Sequence, residues 1–574
     1  MRFLVRATFS SILAAAAATV AVPLAAQEKV DVANIERIKT EALQHSQVMD
    51  IMSYLTDVYG PRLTWSPNAR QAADWTVAQL KKWGIADAHL EPWSTPTGIG
   101  WRNERFSLQA IAPNPFIIAA APRAWSAGTN GRVTGPALPI TADCFAELQQ
   151  KYDGKLKNAF LMFAPPVATP VTEFTAYASR RSDSSLIAMA APPDPNAAPG
   201  GGRAAGGGRN GAANAAATPP ALSAVCQQAA AQAQAAGRGG RGGGRGGFNV
   251  NGDTTALRWL QKQGAAAILM GGNGRGNSVG GDIATDNGAS RVKGAPQVPF
   301  VHVATEGYGR VARMLERSVP VTLELEMVNH FYPADSLSFN IVGDIPGTDP
   351  RLKDEVVMIG GHFDSWHSGT GATDNGAGSG VMLEAMRILR ALNLQPRRTI
   401  RIGLWTGEEQ GLYGSCAYTK QHFGYIDSTS FHPTAEYAKL SAYFNLDNGS
   451  GKIRGVYDQG NARVASIFDA WLTPFKSMSM EINTIGNTGS TDHIAFDNLG
   501  LPGFQFVQDG LDYSTRTHHT NQDVYERLQP DDMMFNAAVL AAFAWQAAQR
   551  DQPLPRKPAP FSEGGPRNRG QFCM

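Results

Sequence analysis

The segment Val356–Gly411 constrains the fold more than any other part of this 574-residue chain. It contains two short apolar runs, Val356–Ile359 and Thr399–Trp405, each bounded by glycine or charged residues. Runs of this length and composition are typical of parallel strands that are buried on both faces. Together with the helical pattern at Ala377–Leu392, they predict an open α/β sheet.

Polar side chains come directly after the two predicted strands. His362 and Asp364 follow the first strand, and Glu408 and Glu409 follow the second. In an open α/β sheet, ligands bind at the edge formed by the carboxyl ends of the strands. We therefore expect these side chains to meet at that edge.

Three later residues extend this set. Asp374 lies in a glycine-flanked loop, Asp447 follows the apolar run Ala442–Leu446, and His519 lies in Thr517–Asp523. A hydrolytic zinc pair needs imidazole and carboxylate ligands from several loops, one bridging carboxylate, an open position for water and a nearby base. Each residue alone has an ordinary structural explanation, such as a turn at Asp374. The complete set at successive strand ends favours a two-metal hydrolytic site.

The adjacent glutamates Glu408 and Glu409 suggest two different roles, one as a metal ligand and one as a base. One side chain can bind metal while its neighbour takes a proton from water, as in motifs that pair a ligand with a base. Metal binding lowers the pKa of water from 15.7 to about 7, which is a larger effect than a general base usually supplies. The expected nucleophile is therefore a metal-activated water.

Five motifs resemble those of the di-zinc exopeptidases that include aminopeptidase Y and the glutamate carboxypeptidases, and the carboxypeptidase Q branch is the most similar. They are His362-Phe-Asp364-Ser-Trp366, Asp374-Asn-Gly-Ala-Gly, Glu408-Glu409-Gln-Gly, Leu446-Asp447 and His519-Thr-x-x-Asp523. The stretches 338–347 and 396–411 are similar to the carboxypeptidase Q branch. Asp374-Asn375 and Thr491-Asp492-His493 are more similar to the aminopeptidase members, so the polarity of the substrate stays open.

The resemblance implies two Zn²⁺ ions per chain and a role for each residue. The resemblance implies that Asp374 bridges the two ions. It further implies that His362 and Asp447 bind one ion and that Glu409 and His519 bind the other. Glu408 would be the general base. Asp364 would orient His362, as a partner of a ligating imidazole commonly does.

The resemblance also implies a fold and a domain order. The fold is α/β, with a mixed, mostly parallel sheet, helices on both faces and an inserted protease-associated domain. The predicted bounds are a signal peptide at 1–26, the first part of the catalytic domain at 27–115, the inserted domain at 116–335, the catalytic zinc peptidase domain at 336–550 and a disordered tail at 551–574. Residues 191–247 are rich in Gly, Ala, Pro, Asn and Arg, which predicts a disordered insert.

The first residues and the overall charge bear on location and partners. Arg2 and Arg6 precede the apolar run Ile12–Val22 and the small residues Ala25-Ala26, a pattern typical of an export signal. The predicted mature protein has no membrane span and is periplasmic or extracellular. Because 51 Lys and Arg residues nearly balance 49 Asp and Glu residues, no nucleic-acid partner is predicted.

The leading interpretation is an exported zinc exopeptidase that hydrolyses dipeptides or short peptides, as a carboxypeptidase or dipeptidase, or as an aminopeptidase. A glutaminyl cyclase-like enzyme is one alternative, disfavoured by the large inserted domain and the full ligand set. A catalytically inactive receptor or binding protein is the other, and it would require lost ligands. The oligomeric state (with a homodimer among the alternatives), the pairing of the four cysteines and the role of the insert stay open.

Overall fold

The computed structural model describes most of the chain. The described residues are 28–95, 98–164, 176–191, 222–235, 250, 253–271, 280–285, 287–292, 294–296, 298–332, 337–562 and 573. The predicted signal peptide, most of the predicted insert and the end of the tail lie outside them.

The described residues form helices and strands in the following order. The helices are α1 (Val32–Gln44), α2 (Val48–Ser53), α3 (Pro67–Lys82), α4 (Phe145–Tyr152), α5 (Asp183–Ala190), α6 (Ala224–Ala235), α7 (Thr254–Gln263), α8 (Thr305–Glu316), α9 (Ala377–Ala391), α10 (Tyr413–His422), α11 (Ala465–Leu472), α12 (His493–Asp497) and α13 (Pro530–Gln549). The strands are β1 (Ala86–Ser94), β2 (Gly100–Ala112), β3 (Phe116–Ile117), β4 (Ala120–Pro122), β5 (Val133–Pro139), β6 (Phe160–Met162), β7 (Ala267–Gly271), β8 (Phe300–Val303), β9 (Thr322–Tyr332), β10 (Leu337–Ile345), β11 (Val356–His362), β12 (Thr399–Trp405), β13 (Gly424–Ile426), β14 (Phe431–Pro433), β15 (Leu440–Asn445), β16 (Ile453–Tyr457), β17 (Ile482–Thr484) and β18 (Gly503–Gln508).

The main sheet has the order β1-β10-β12-β11-β15-β18-β16-β17 within the described part of the chain. Strand β11 pairs in parallel with β12 on one side and β15 on the other, and β15 pairs in parallel with β18. The pairs of β10 with β1 and β12, and of β16 with β18, are antiparallel. The prediction of a mixed α/β sheet is therefore confirmed.

Helices cover both faces of this sheet. Along β11, Val357 and Ile359 enter one core with helices α1, α2, α9 and α13, while Met358 enters the opposite core with α10 and α12. Alternate residues of a strand point to opposite faces, so every position of a doubly covered strand is apolar. This is why the sequence showed a continuous apolar run at this point.

A second sheet has the order β3-β2-β9-β5-β6-β7-β8-β4 within the described part of the chain, and we call the part of the chain that forms it the inserted domain. It starts earlier than predicted, because residues of β2, which were assigned to the catalytic domain, pair along their length with β9. The predicted boundary at 115 therefore falls inside this sheet. The pairing partner is more than two hundred residues away in sequence (322 − 112 = 210), so local pattern did not reveal it.

Two segments predicted to be disordered contain ordered residues. Within 191–247, the described residues form helix α6, and its Cys226 is bonded to Cys144. In the tail, Leu554 is only 1% exposed, and the Arg556 guanidinium donates to the Leu440 carbonyl oxygen at 2.6 Å. Cys573 is bonded to Cys416 on α10. Composition did not reveal these contacts, because each of them joins residues that are distant in sequence.

Two histidines lie where the inserted domain meets the main domain, and His302 is buried whereas His367 is partly buried. His302 is on β8, and His367, from the loop after β11, donates from Nε2 to the Pro122 carbonyl oxygen of β4 at 2.7 Å. Burial lowers the pKa of His367 to about 4. Burial, together with the nearby charge of Arg123, lowers the pKa of His302 to about 3.

These histidines predict that the protein loses stability in mild acid. An unfolded histidine titrates near its ordinary pKa of about 6.5, so below that pH the unfolded chain binds protons that the folded chain does not. Urea-unfolding free energy should therefore fall by up to roughly 1.4 kcal/mol per pH unit for each such histidine between about pH 6.5 and 4. His302→Leu should flatten this slope, whereas the control His330→Leu, at a half-exposed site, should not. Equal slopes in the two variants and the original protein would contradict this.

Candidate metal centre

Three adjacent strands deliver the candidate site residues to one edge of the main sheet. The last residue of β11 is His362, which is level with Trp405 at the end of β12, while Gly360 is level with Asn445 at the end of β15. Parallel strands in register end at the same edge. Glu408 and Glu409 after β12, and Asp447 after β15, therefore emerge beside His362.

The first group of potential ligands contains His362, Asp374 and Asp447. His362 Nε2 lies 3.4 Å from Asp374 Oδ1 and 3.3 Å from Asp447 Oδ1. His362 and Asp374 are buried, and Asp447 is 9% exposed. These three atoms are close enough to share one metal ion.

The second group uses the other oxygen of Asp374. His519 Nε2 lies 3.2 Å from Asp374 Oδ2 and 2.9 Å from Glu409 Oε2. Asp374 thus stands between the two imidazoles and presents a different oxygen to each. The structure brings together all of the predicted ligands: His362, Asp374, Glu409, Asp447 and His519.

The donor set fits a zinc pair in chemistry and spacing. Ligand atoms about 2.0–2.2 Å from a tetrahedral zinc ion lie roughly 3.3–3.6 Å from one another, close to the spacings above. In addition, Glu409 Oε1 and Asp447 Oδ1 are buried and accept no hydrogen bond from any residue that the structure describes. Buried carboxylate oxygens normally have a partner, because desolvating them alone is costly.

The electrostatics also indicate a site that needs positive charge. Burial alone would lower the pKa of His362 and His519, but the carboxylates around them, Asp447 and Glu409 foremost, raise both pKa values well above the ordinary value. Burial raises the pKa of Glu409 to about 7, and the Asp374 charge adds to this effect. Divalent cations would balance this excess of buried carboxylates.

Glu408 is close to both groups but has a different environment. Burial, and then the charges of Asp447 and Asp492, raise its pKa well above the ordinary value, although the nearby His362 opposes the shift. The Glu408 backbone N–H donates to Asp364 Oδ1 at 3.3 Å, which holds the strand end in place. The arrangement leaves the Glu408 side chain beside the candidate ligands, where a general base would act.

Asp364 orients His362, but chiefly through its backbone. The Nδ1–H of His362 points to the Asp364 carbonyl oxygen at 3.0 Å, whereas Asp364 Oδ1 is 3.7 Å away. The carboxylate instead accepts from Thr64 Oγ1 at 2.6 Å and from the Glu408 N–H. With Nδ1 satisfied in this way, Nε2 is the nitrogen that faces the site.

Arg62 is a supporting residue for which the sequence gave no signal. Its fully buried guanidinium donates to the carbonyl oxygens of Leu55 at 2.9 Å and Phe363 at 2.8 Å, and to those of Thr370 at 3.1 Å and Gly371 at 2.8 Å. Burial lowers its pKa to about 10 despite the nearby carboxylates, so it stays charged at neutral pH. Arg62 therefore fixes the loop that connects His362 to Asp374.

Two further residues fix the position of Asp374. The Asp523 carboxylate accepts from the backbone N–H groups of Thr373 at 2.5 Å and Asp374 at 3.1 Å. Asn375 donates to the Leu446 carbonyl oxygen at 2.8 Å, which ties this loop to the residue before Asp447. Asp523 belonged to a motif that the sequence singled out, but its role as a backbone anchor depends on the folded loop.

Tyr513 and His518 are also in the site, although the sequence assigned neither a role. The Tyr513 hydroxyl donates to Asp374 Oδ1 at 3.0 Å. His518 Nε2 is 3.7 Å from Asp374 Oδ2, and its ring centroid is 3.8 Å from that of His519, with the two rings tilted by 36°. His518 is therefore a second imidazole beside the second group of ligands, and only its position next to His519 in the sequence hinted at this.

Comparison with known proteins agrees with this geometry. Residues 340–544 match the sequence model of peptidase family M28. Carboxypeptidase Q of Mus musculus is 31% identical over 263 residues, which cover 46% of this chain and 53% of that protein. Carboxypeptidase Q of Bos taurus is 25% identical over 510 residues, covering 88% and 86%. In its alignment with the mouse protein, the chain thus spans about half of that protein's length.

A solved structure supports the fold. The crystal structure of a peptidase M28 precursor from Shewanella amazonensis superposes with a TM-score of 0.59 at 22% sequence identity. The superposition covers 92% of this chain and 99% of that one. The overall fold is therefore shared.

The Arg62 contacts predict that a lysine cannot replace this arginine. A single ammonium group cannot reach all of the carbonyl oxygens, and each buried acceptor left unpaired costs about 1–3 kcal/mol. Arg62→Lys should lower the melting temperature by several degrees and reduce bound metal after dialysis against trace zinc. Arg70→Lys is the matched control, since the Arg70 side chain is 59% exposed and forms a surface ion pair with Asp74. Unchanged metal content in Arg62→Lys would contradict the role given to Arg62.

Proposed function

We propose that this chain, whose residues 340–544 form a domain of peptidase family M28, is a zinc-dependent exopeptidase that hydrolyses dipeptides or short peptides. The observation that carries the proposal is the position of Asp374, whose two oxygens face His362 and His519 separately. This arrangement suits two metal ions bridged by one carboxylate.

The proposed ligands divide between the two ions. His362 and Asp447 would hold one ion, Glu409 and His519 the other, with Asp374 shared by both. When bound, the zinc pair would lower the pKa of a bound water and polarise the substrate carbonyl.

The side chains around the ligands would carry the remaining steps. Glu408 would take the proton from the attacking water and deliver it to the amine that leaves. Its raised pKa suits this shuttle, since the carboxyl group can hold the proton taken from water before it passes the proton on. Asp364 and Arg62 would keep the strand ends in position, so that little reorganisation is needed during the reaction.

Export is also part of the proposal. The structure contains the disulfides Cys144–Cys226 and Cys416–Cys573, and such bonds persist mainly in oxidising compartments. In the described part of the chain, no helix is long and apolar enough to cross a membrane. We propose a periplasmic or extracellular location.

Metal analysis and a substrate panel test the activity. We expect about two zinc ions per chain, and hydrolysis of unblocked dipeptides that a chelator abolishes and zinc restores. The panel contains dipeptides and tripeptides with a free or blocked amino terminus and a free or blocked carboxyl terminus. Loss of cleavage on blocking the carboxyl terminus indicates a carboxypeptidase or dipeptidase, and loss on blocking the amino terminus indicates an aminopeptidase. An active protein without metal, or a metal-loaded protein that cleaves nothing in the panel, would overturn the proposal.

The two glutamates should differ when each is replaced. Glu408→Gln should retain zinc and the melting temperature but lower kcat by about 10²–10⁴-fold, as expected for the loss of a general base. Glu409→Ala should lose zinc as well as activity. Glu316→Gln, at an exposed position on α8, is the control and should leave both unchanged. Mild and equal effects at Glu408 and Glu409 would refute the separate roles.

A further inference from the structure

A cavity of about 510 Å³ opens beside the candidate metal centre. Glu409 and Trp366 line it from the main domain, and Trp125 and Arg291 line it from the inserted domain. Trp366 also packs against the candidate ligand His519, with ring centroids 6.3 Å apart. The cavity is of a size that holds small ligands, and it is continuous with the second group of ligands.

Arg291 contributes a positive charge that is not neutralised by any acid in the described part of the chain. Its guanidinium lies over the rings of Trp65 at 4.8 Å, Trp125 at 5.3 Å and Tyr413 at 5.7 Å. Its Nη2 is 3.5 Å from the Tyr413 hydroxyl, the outer limit of a hydrogen bond. Its Nη1 is buried and has no hydrogen-bond partner among the described residues. A guanidinium in this state has unused capacity to donate to an anion.

Gln410 is a second polar side chain of the cavity with unused hydrogen-bonding capacity. Both Nε2 and Oε1 of its amide are buried and bond to no residue that the structure describes. Its neighbour in sequence is Glu409, so the amide lies next to the second group of ligands. Unpaired buried polar groups are rare in folded proteins, and a pair of them in one cavity indicates a polar ligand.

The charges around the cavity favour a negative ligand. Among its described lining residues, Glu409 is the only acid, and the proposed function commits its carboxylate to zinc. Arg291 then supplies the remaining charge. An ammonium group would be repelled by Arg291, whereas a carboxylate would receive charge-assisted hydrogen bonds from it.

We propose that this cavity binds a carboxylate of the peptide substrate, with Arg291 as the specificity-determining residue and the Gln410 amide as a second donor. The inference rests on the proposed function and names the substrate class of the same site. The carboxylate has two sources with the same chemistry, the free carboxyl terminus and an acidic side chain. Because Glu409 belongs both to the cavity lining and to the second group of ligands, the carboxylate would come from a residue close to the bond that is hydrolysed.

Arg291 has an alternative role as a cation that only holds the two domains together. Its stacking on Trp65 and Tyr413 would then matter for folding, and its loss would affect every substrate alike. A role in binding instead predicts that the effect depends on the substrate carboxylate. The two roles can therefore be separated with matched substrates.

The first experiment uses the unmodified, zinc-loaded protein. Four matched substrates share one amino-terminal residue and end in glutamate, glutamine, glutamate α-amide or glutamine α-amide. We expect the glutamine α-amide, which carries no carboxylate, to have the lowest kcat/KM, mainly through a raised KM. If the terminal carboxylate is the ligand, both α-amides are poor substrates; if the side chain is the ligand, both glutamine peptides are poor.

The second experiment compares variants on these substrates. Arg291→Gln should lower kcat/KM for the preferred substrate about 10- to 100-fold and leave the glutamine α-amide nearly unchanged. For Arg291→Lys, kcat/KM for the preferred substrate should be intermediate between those of the original protein and Arg291→Gln, because lysine keeps the charge but lacks the planar fork of donors. The control is Arg310→Gln, since Arg310 is in the same domain and stacks on Phe116 at 3.7 Å but does not line the cavity.

The outcomes separate this inference from the proposed function. If zinc-loaded protein cleaves all four substrates equally well, or Arg291→Gln weakens all of them equally, the inference is overturned while the peptidase proposal stands. If the protein cleaves none of them, and no other peptide, the peptidase proposal itself fails. A selective loss in Arg291→Gln that is absent from Arg310→Gln supports the inference.

Discussion

The arrangement of the main domain depends on the burial of several carboxylates at one edge of its sheet. Asp374, Glu409 and Asp447 all lie near His362 or His519, and protein groups alone do not neutralise them. Such a cluster is costly to fold without cations, because buried charges of the same sign repel one another and lose their hydration. Much of the surrounding architecture can be understood as what holds these groups in place.

The residues that support the site form hydrogen bonds with the backbone more often than with side chains. Arg62 uses its donors on the carbonyl oxygens of the loop before Asp374, and Asp523 accepts from the backbone N–H groups of Thr373 and Asp374. At the start of α9, a Cβ atom at Gly378 would overlap the Leu446 carbonyl oxygen, so glycine allows the helix to approach the Asp447 loop closely. Positioning is thus achieved mainly by fixing the chain itself, and the Tyr513 hydroxyl on Asp374 is a side-chain contact in addition to these backbone contacts.

The sequence predicted the parts of this site that follow from local pattern. His362, Glu408 and Asp447 come directly after apolar runs, and the rule that ligands bind at the carboxyl ends of parallel strands placed them together. Arg62 was not predictable in this way, since its acceptors are carbonyl oxygens that carry no residue signature. The position of Arg291 was not predictable either, because this residue reaches the cavity from another domain. The predicted boundary at 115 falls between β2 and β3 of the second sheet, because β2 pairs with a strand that is distant in sequence.

The interrupted course of the main sheet has a consequence for how the protein is made. Strand β1 pairs with β10, so the whole inserted domain is synthesised between two neighbouring strands of one sheet. The strands of the inserted domain lie between β1 and β10 in sequence, so they can pair with one another before β10 has been synthesised. Strand β1 stays unpaired until then. His519 and helix α13 are synthesised later still. Long-range pairing of this kind is slow and leaves strand edges exposed in the meantime. The set of candidate ligands is therefore complete only after His519 has been synthesised, so a shorter ribosome-bound fragment lacks part of the metal centre.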